Sequence, residues 1–207
     1  MKTAVHNLQQ AIRAAAGVNE NCPAAVPDVT ACRFISQKIQ MPQTENPYLY
    51  LVLDGALRLH TPSGMMDYMA GQYSVSQIDT PLSGTVLSFS QQGDFLAAAV
   101  EFSSGDVITT ALELDNDLME KIAGGKLQER TMLQSDASVV DAVWRLMSAA
   151  HETVPSDFLR KNRMREVIYQ ILCGSCGRQL LQSIANFSQA AVHQQKPAAE
   201  RGAELLF

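Results

Sequence analysis

Between Val29 and Phe102 the chain repeats one pattern: a short apolar, β-prone run, a turn signal, then another run. The runs are Thr30 to Ile39, Tyr48 to Leu53, Ala56 to His60, Gln72 to Ile78, Thr85 to Phe89 and Phe95 to Phe102. Pro42, Pro47, Asp54-Gly55, Pro62-Ser63-Gly64, Ala70-Gly71, Pro81 to Gly84 and Gln92-Gly93-Asp94 separate them. Gaps this short close antiparallel hairpins and leave no room for the crossover helix that a parallel pair needs. The pattern predicts an antiparallel barrel or sandwich.

On either side of these runs the periodicity is helical. Val5, Leu8, Ile12 and Ala15 recur at helical spacing, so residues 4–16 read either as a short amphipathic helix ending at Gly17 or as a frayed leader. Asn19 to Asp28, with Pro23 and Pro27, reads as a linker. Further on, Val139, Val140, Val143, Leu146, Met147 and Ala150 trace the stripe of a helix opening near Ser135. Met164, Val167, Ile168, Ile171 and Leu172 trace a second stripe, on a helix that starts near Pro155 and stops at Gly174, the residue best suited to a left-handed cap. Ala190 to Gly202 has no clear apolar stripe. The fold class expected is α+β, strands first and helices after.

Composition removes several function classes. A net charge of −5 and a pI near 5.3 offer no broad attraction to a phosphate backbone. The longest apolar runs, Leu49 to Leu53 and Phe95 to Val100, are strand-sized and far below the roughly 20 residues that span a bilayer. His6, Asn7, Gln9, Gln10 and Arg13 interrupt any signal-peptide apolar region, so a cytoplasmic location without membrane contact is expected. Cys22, Cys32, Cys173 and Cys176 are too few to staple 207 residues and read as free thiols.

Three stretches occur in an order that resembles the N-terminal family of AraC-type regulators. They are Pro47-Tyr-Leu-Tyr-Leu-Val-Leu-Asp-Gly55, then Asp67-Tyr68-Met-Ala-Gly71-Gln-Tyr73-Ser-Val75, then Thr80-Pro81-Leu-Ser-Gly84. The likeness continues through Phe95 to Leu114, Arg163 to Gly174 and Arg178 to Leu181, covering roughly residues 30–185. The resemblance implies a cupin-like β-barrel that binds a small-molecule effector, helices that form a homodimer, and a separate DNA-binding unit of two helix-turn-helix motifs. After about Ile184 only a short tail follows, so DNA contact is expected only through a unit missing from this chain. The division expected is a helix and linker at 1–27, the effector-binding barrel at 28–114, a helical dimerisation module at 115–187 and a tail at 188–207. Met164, Val167, Ile168, Ile171 and Leu172 are the residues expected to pair with a second copy.

The chemistry expected is binding, with no catalysis and no cofactor. The rival from the same barrel class is a metal-dependent oxygenase or isomerase, whose site wants two histidines one residue apart, a carboxylate and a later histidine. After the Gly55 turn there is only His60; Pro62 stands where its partner would be and Leu87 where the late histidine would fall. No metal is expected. Cys173-Gly-Ser-Cys176 has redox-motif spacing, but it closes a helix instead of opening one and reads as a helix-ending loop. Arg160, Lys161, Arg163 and Arg165 read as the solvated face of the second helix rather than as a nucleic-acid patch. For the effector site, alternation along the strands makes Tyr50, Arg58, His60, Tyr73 and Gln77 the candidate ligand contacts.

Overall fold

The computed structural model describes residues 2–42, 44, 46–61, 64–75, 83–124, 137–149, 156–182 and 184. Nine strands are described: β1 (Glu20–Pro23), β2 (Val29–Phe34), β3 (Lys38–Gln40), β4 (Tyr48–Asp54), β5 (Ala56–Thr61), β6 (Gly64–Met69), β7 (Tyr73–Val75), β8 (Ser83–Ser88) and β9 (Phe95–Glu101). Helix α1 (Lys2–Ala15) precedes them, and α2 (Ser104–Leu112), α3 (Asn116–Gly124), α4 (Ala137–Ser148) and α5 (Asp157–Cys173) follow. Residues 177–182 are helical as well.

The strands form two antiparallel sheets, a five-stranded one ordered β1-β2-β9-β4-β7 and a four-stranded one ordered β3-β8-β5-β6. The architecture is α+β with antiparallel sheets, as the sequence predicts. Among the described residues no strand pair joins the two sheets, so the expected barrel is two facing sheets rather than a closed cylinder. The run from Thr30 to Ile39 is the physical reason. It breaks at Ile35 and Ser36, whose backbone N–H groups both donate to the Asn19 side-chain oxygen (2.8 and 3.0 Å), and β2 and β3 go to different sheets.

Strands β4 and β9 read Tyr-Leu-Tyr-Leu-Val-Leu and Phe-Leu-Ala-Ala-Ala-Val without alternation, because they are buried on both faces. Their odd and even residues serve different cores. Leu49, Leu51 and Leu53 of β4, with Leu96, Ala98 and Val100 of β9, face a helical layer containing α1, α2, α4 and α5. Tyr48, Tyr50 and Val52, with Phe95, Ala97 and Ala99, face the four-stranded sheet. The hairpin joining β4 to β5 turns at Gly55, where φ is +82° and an added Cβ would lie 2.4 Å from the Ser88 carbonyl oxygen. Only glycine fits there.

The stripe expected to pair with a second copy is instead covered by the chain itself. Val167, Ile168, Ile171 and Leu172 are fully buried and Met164 nearly so, in one core with α4 and the five-stranded sheet. The correction follows from geometry: α4 and α2 both pack against α5, and its apolar face lies in the core they share. Helix α5 is capped by Ser156, and Gly174 at its other end has φ −86°, so the expected left-handed cap does not form. The expected linker holds β1, which pairs with β2 from Glu20↔Arg33 to Pro23↔Thr30. The expected tail, 188–207, lies outside the described residues.

Helix α1 is a docked part of this layer. Leu8 and Ile12 are fully buried against the sheet, and Gln9 donates to the Leu53 carbonyl at 2.9 Å. Arg13 reaches Asp94 at 2.9 Å and Asp54 at 3.4 Å, while Arg33 reaches the other oxygen of Asp94 at 3.1 Å. Asp94 is 1% exposed, and the hydrogen bond from Arg13, aided by Ser90 and Arg33, outweighs burial and holds its carboxyl down at about 2.

Candidate functional site

The side chains that the two sheets turn toward each other form one buried interior. Strand β2 turns Cys32 and Phe34 into it, β4 turns in Tyr48 and Tyr50, and β9 lays a floor of methyl groups from Ala97 and Ala99. From the opposite sheet come Leu57 and Leu59 of β5, Tyr68 of β6 and Val86 of β8. Among the described residues the buried charged or polar side chains are Asp94 and Thr110, and neither belongs to this interior.

Its polar atoms are phenol hydroxyls and one thiol. The Tyr50 hydroxyl is buried with no oxygen or nitrogen to bond, and its side-chain partner is the Cys32 thiol. That thiol also donates weakly to the Thr30 carbonyl oxygen at 3.8 Å. Burial pushes Cys32 up to about 12 and Tyr50 well above the ordinary phenol range, so both stay protonated. Tyr68 is likewise lifted to about 12 by burial, and its hydroxyl donates to the Met66 sulfur at 3.8 Å.

The candidate ligand contacts read from the sequence do not converge. Tyr50 faces the interior. Tyr73 lies in the opposite core, because it pairs directly with Leu51 and cross-strand partners point to one side of a sheet. Arg58 and His60 point outward, since the inward positions of β5 go to Leu57 and Leu59. There Arg58 forms a two-pronged ion pair with Asp67, at 2.6 and 2.7 Å, and the His60 Nε2 lies 3.0 Å from the Thr85 hydroxyl. Gln77 lies outside the described residues. Sequence reasoning missed Cys32, Phe34 and Tyr68 as interior residues. The first two share a face through i, i+2 spacing, a signal hidden by reading Thr30 to Ile39 as one strand.

Elsewhere the motifs have local roles. No group of three or more His, Cys, Asp or Glu side chains among the described residues could hold a metal ion. Cys173 is exposed and Cys176 buried at the joint that ends α5, and neither is in a disulfide. Arg160, Arg163 and Arg165 each pair with a carboxylate of the chain: Asp28 at 3.0 Å, Glu166 at 3.1 Å and Glu113 at 3.4 Å. Arg160 also lines a cleft of about 500 Å³ with Val26, Pro27 and Asp157, where the β1–β2 turn meets the start of α5. No described helix is long and apolar enough to cross a membrane.

Comparison with known proteins gives a family and a distant structural likeness. A crystal structure of a cupin domain from Bordetella pertussis is similar over 36% of this chain and 79% of its own, with 19% identity and a TM-score of 0.29. No curated protein is significantly similar in sequence. Residues 25–179 match the family described as the AraC-type transcriptional regulator N-terminus, a span from the β1–β2 turn through α5 to the helical turn beyond it. The chain belongs to that family of regulator N-termini.

Proposed function

We propose that this chain is the sensing and dimerising unit of an AraC-type regulator: it binds a small-molecule effector between its two sheets and passes the bound state through its helical layer to a DNA-binding unit. The observation that carries this reading is the double burial of β4 and β9. Each strand lines the interior with one set of side chains and faces the helical layer, α1 directly, with the other. A ligand that displaces Tyr50 or Val52 therefore moves Leu49, Leu51 and Leu53 on the same backbone, and close-packed helices respond to such shifts. The chain acts by differential binding to two states, without catalysis.

Pairing uses a different surface from the sealed α5 stripe. The outward faces of α2 and α5 carry Leu112, 81% exposed, and Phe158, 76% exposed, with Tyr169 half-exposed. Ring and aliphatic side chains presented this fully are what a two-fold contact buries. The test is a fusion of the chain to a monomeric helix-turn-helix unit whose operator binding requires two copies. Reporter repression is expected, and Leu112→Glu with Phe158→Glu abolishes it while the protein stays folded, because both sites are solvent-facing. No repression by the unsubstituted fusion at matched expression, or full repression by the double variant, overturns this reading.

A further inference from the structure

We infer that the ligand taken between the sheets is an uncharged, compact molecule with an apolar body and one hydrogen-bond acceptor, and that the Tyr50 hydroxyl is the group that reads this acceptor. The inference rests on the sensing reading above and specifies its ligand. Its first support is the wall chemistry: Phe34, Tyr48, Tyr68 and Phe95 are aromatic, Ala97 and Ala99 present methyls, and no described interior residue is ionised. An ion brought into such a space loses its hydration with no opposite charge in exchange, a far larger cost than for a neutral molecule.

The second support is the hydroxyl itself. A buried donor whose partner is only a thiol is poorly satisfied in the unliganded protein, and a ligand that supplies an oxygen acceptor improves on it. The adjacent Cys32 thiol is a poor substitute, being weak both as donor and as acceptor. Burial keeps Tyr50 protonated across the physiological range, so it remains a donor. A site built to hydrogen-bond one polar group rejects analogues that lack it far better than it rejects a change in apolar bulk.

Three probes of similar size and different charge test the inference on the full chain: acetophenone, benzoate and benzylamine. Saturation-transfer NMR and titration calorimetry are expected to find acetophenone bound, with the two ions at least about tenfold weaker. Tyr50→Phe is expected to weaken acetophenone by about three- to tenfold, the worth of one neutral hydrogen bond. The same variant supplies a ligand-free measurement: its thermal midpoint equals or exceeds that of the parent, since a poorly satisfied buried hydroxyl has been removed. A midpoint several degrees lower makes the hydroxyl a structural group and overturns its role. Equal acetophenone binding by Tyr50→Phe does the same. Binding of benzoate or benzylamine as tight as acetophenone overturns the uncharged class while leaving the sensing reading intact. Absence of binding by all three probes, in parent and variant alike, removes the interior site and the sensing reading together.

Discussion

The two faces of the five-stranded sheet are built from different chemistry. Toward the helices, two of 33 described core residues are aromatic, and the rest are almost all aliphatic. Toward the second sheet the proportion is five of 14, three of them tyrosines, with a thiol among them. Aliphatic side chains interdigitate to crystal-like density and specify one arrangement of the layers. Tyrosines bring polar atoms into a buried space, which packing alone does not reward. One strand pair thus carries a face built to hold its shape and a face built to meet a polar group.

The sharpest way to break this comparison is to charge the helical side. Ile168→Glu with Ile171→Glu places two carboxylates in the sealed core between α5 and its neighbours. The cost is at least ~5 kcal/mol, comparable with the whole stability of a domain, so the variant is expected to lose its cooperative near-ultraviolet circular dichroism transition. A folded monomer would return the stripe to the role the sequence suggested, an interface between copies.

A milder pair of substitutions compares the two faces at equal chemistry. Leu51→Ala on the helical side is expected to cost about 3–5 kcal/mol in urea unfolding, and Leu57→Ala on the interior side about 2–3 kcal/mol, although both side chains are fully buried. The difference is the prediction. Equal losses would mean that the interior is packed as tightly as the helical core and has no adaptable wall.

Legibility followed the same division. The two-faced strands were visible as unbroken apolar runs, and the helices as stripes, because burial demands apolar side chains wherever it occurs. What covers a stripe is not written in it. Met164 to Leu172 would look the same against a second copy as against α4 and the sheet. Strand β6 escaped notice because Met65, Met66 and Met69 are not β-branched, and β1 because Pro23 and its surroundings read as a linker. For the candidate site the obstacle was register: a one-residue change in pairing swaps every side chain between faces. The Leu51↔Tyr73 pairing fixes Tyr73 on the helical side, and no local sequence signal marks it.

The join between the regions can be tested by acid. Asp94 is held at about 2, chiefly by its hydrogen bond to Arg13, against an ordinary 3.8 in the unfolded chain. A depressed carboxyl stabilises the fold fully above the unfolded value and ceases to do so as pH falls through the folded one. Roughly 2 kcal/mol is therefore expected to disappear between about pH 4 and pH 2, and Asp94→Asn should remove that part of the pH slope. Hydrogen exchange would localise the loss to α1, which Arg13 pins to Asp94 and Asp54. An unchanged slope in Asp94→Asn would mean that the Arg13–Asp94 pair contributes little to holding α1.

The smallest effect belongs to the outer surface of the second sheet, and it separates outward from inward residues of one strand. Arg58 and His60 alternate with Leu57 and Leu59 along β5, and their partners, Asp67 and Thr85, stand on the neighbouring strands of the same outer face. The Arg58–Asp67 pair lowers the Asp67 carboxyl through its hydrogen bonds, yet both side chains are about 40% exposed, and water screens most of what such a pair contributes. Arg58→Ala with His60→Ala is therefore expected to shift the thermal midpoint by no more than about 2 °C and to leave acetophenone binding unchanged. The comparison with Tyr50→Phe then isolates direction from distance, since Tyr50 and Arg58 belong to facing sheets and only one of them points between them. A loss of binding in the double variant matching that in Tyr50→Phe would place the ligand on the outer face and leave the interior as plain core.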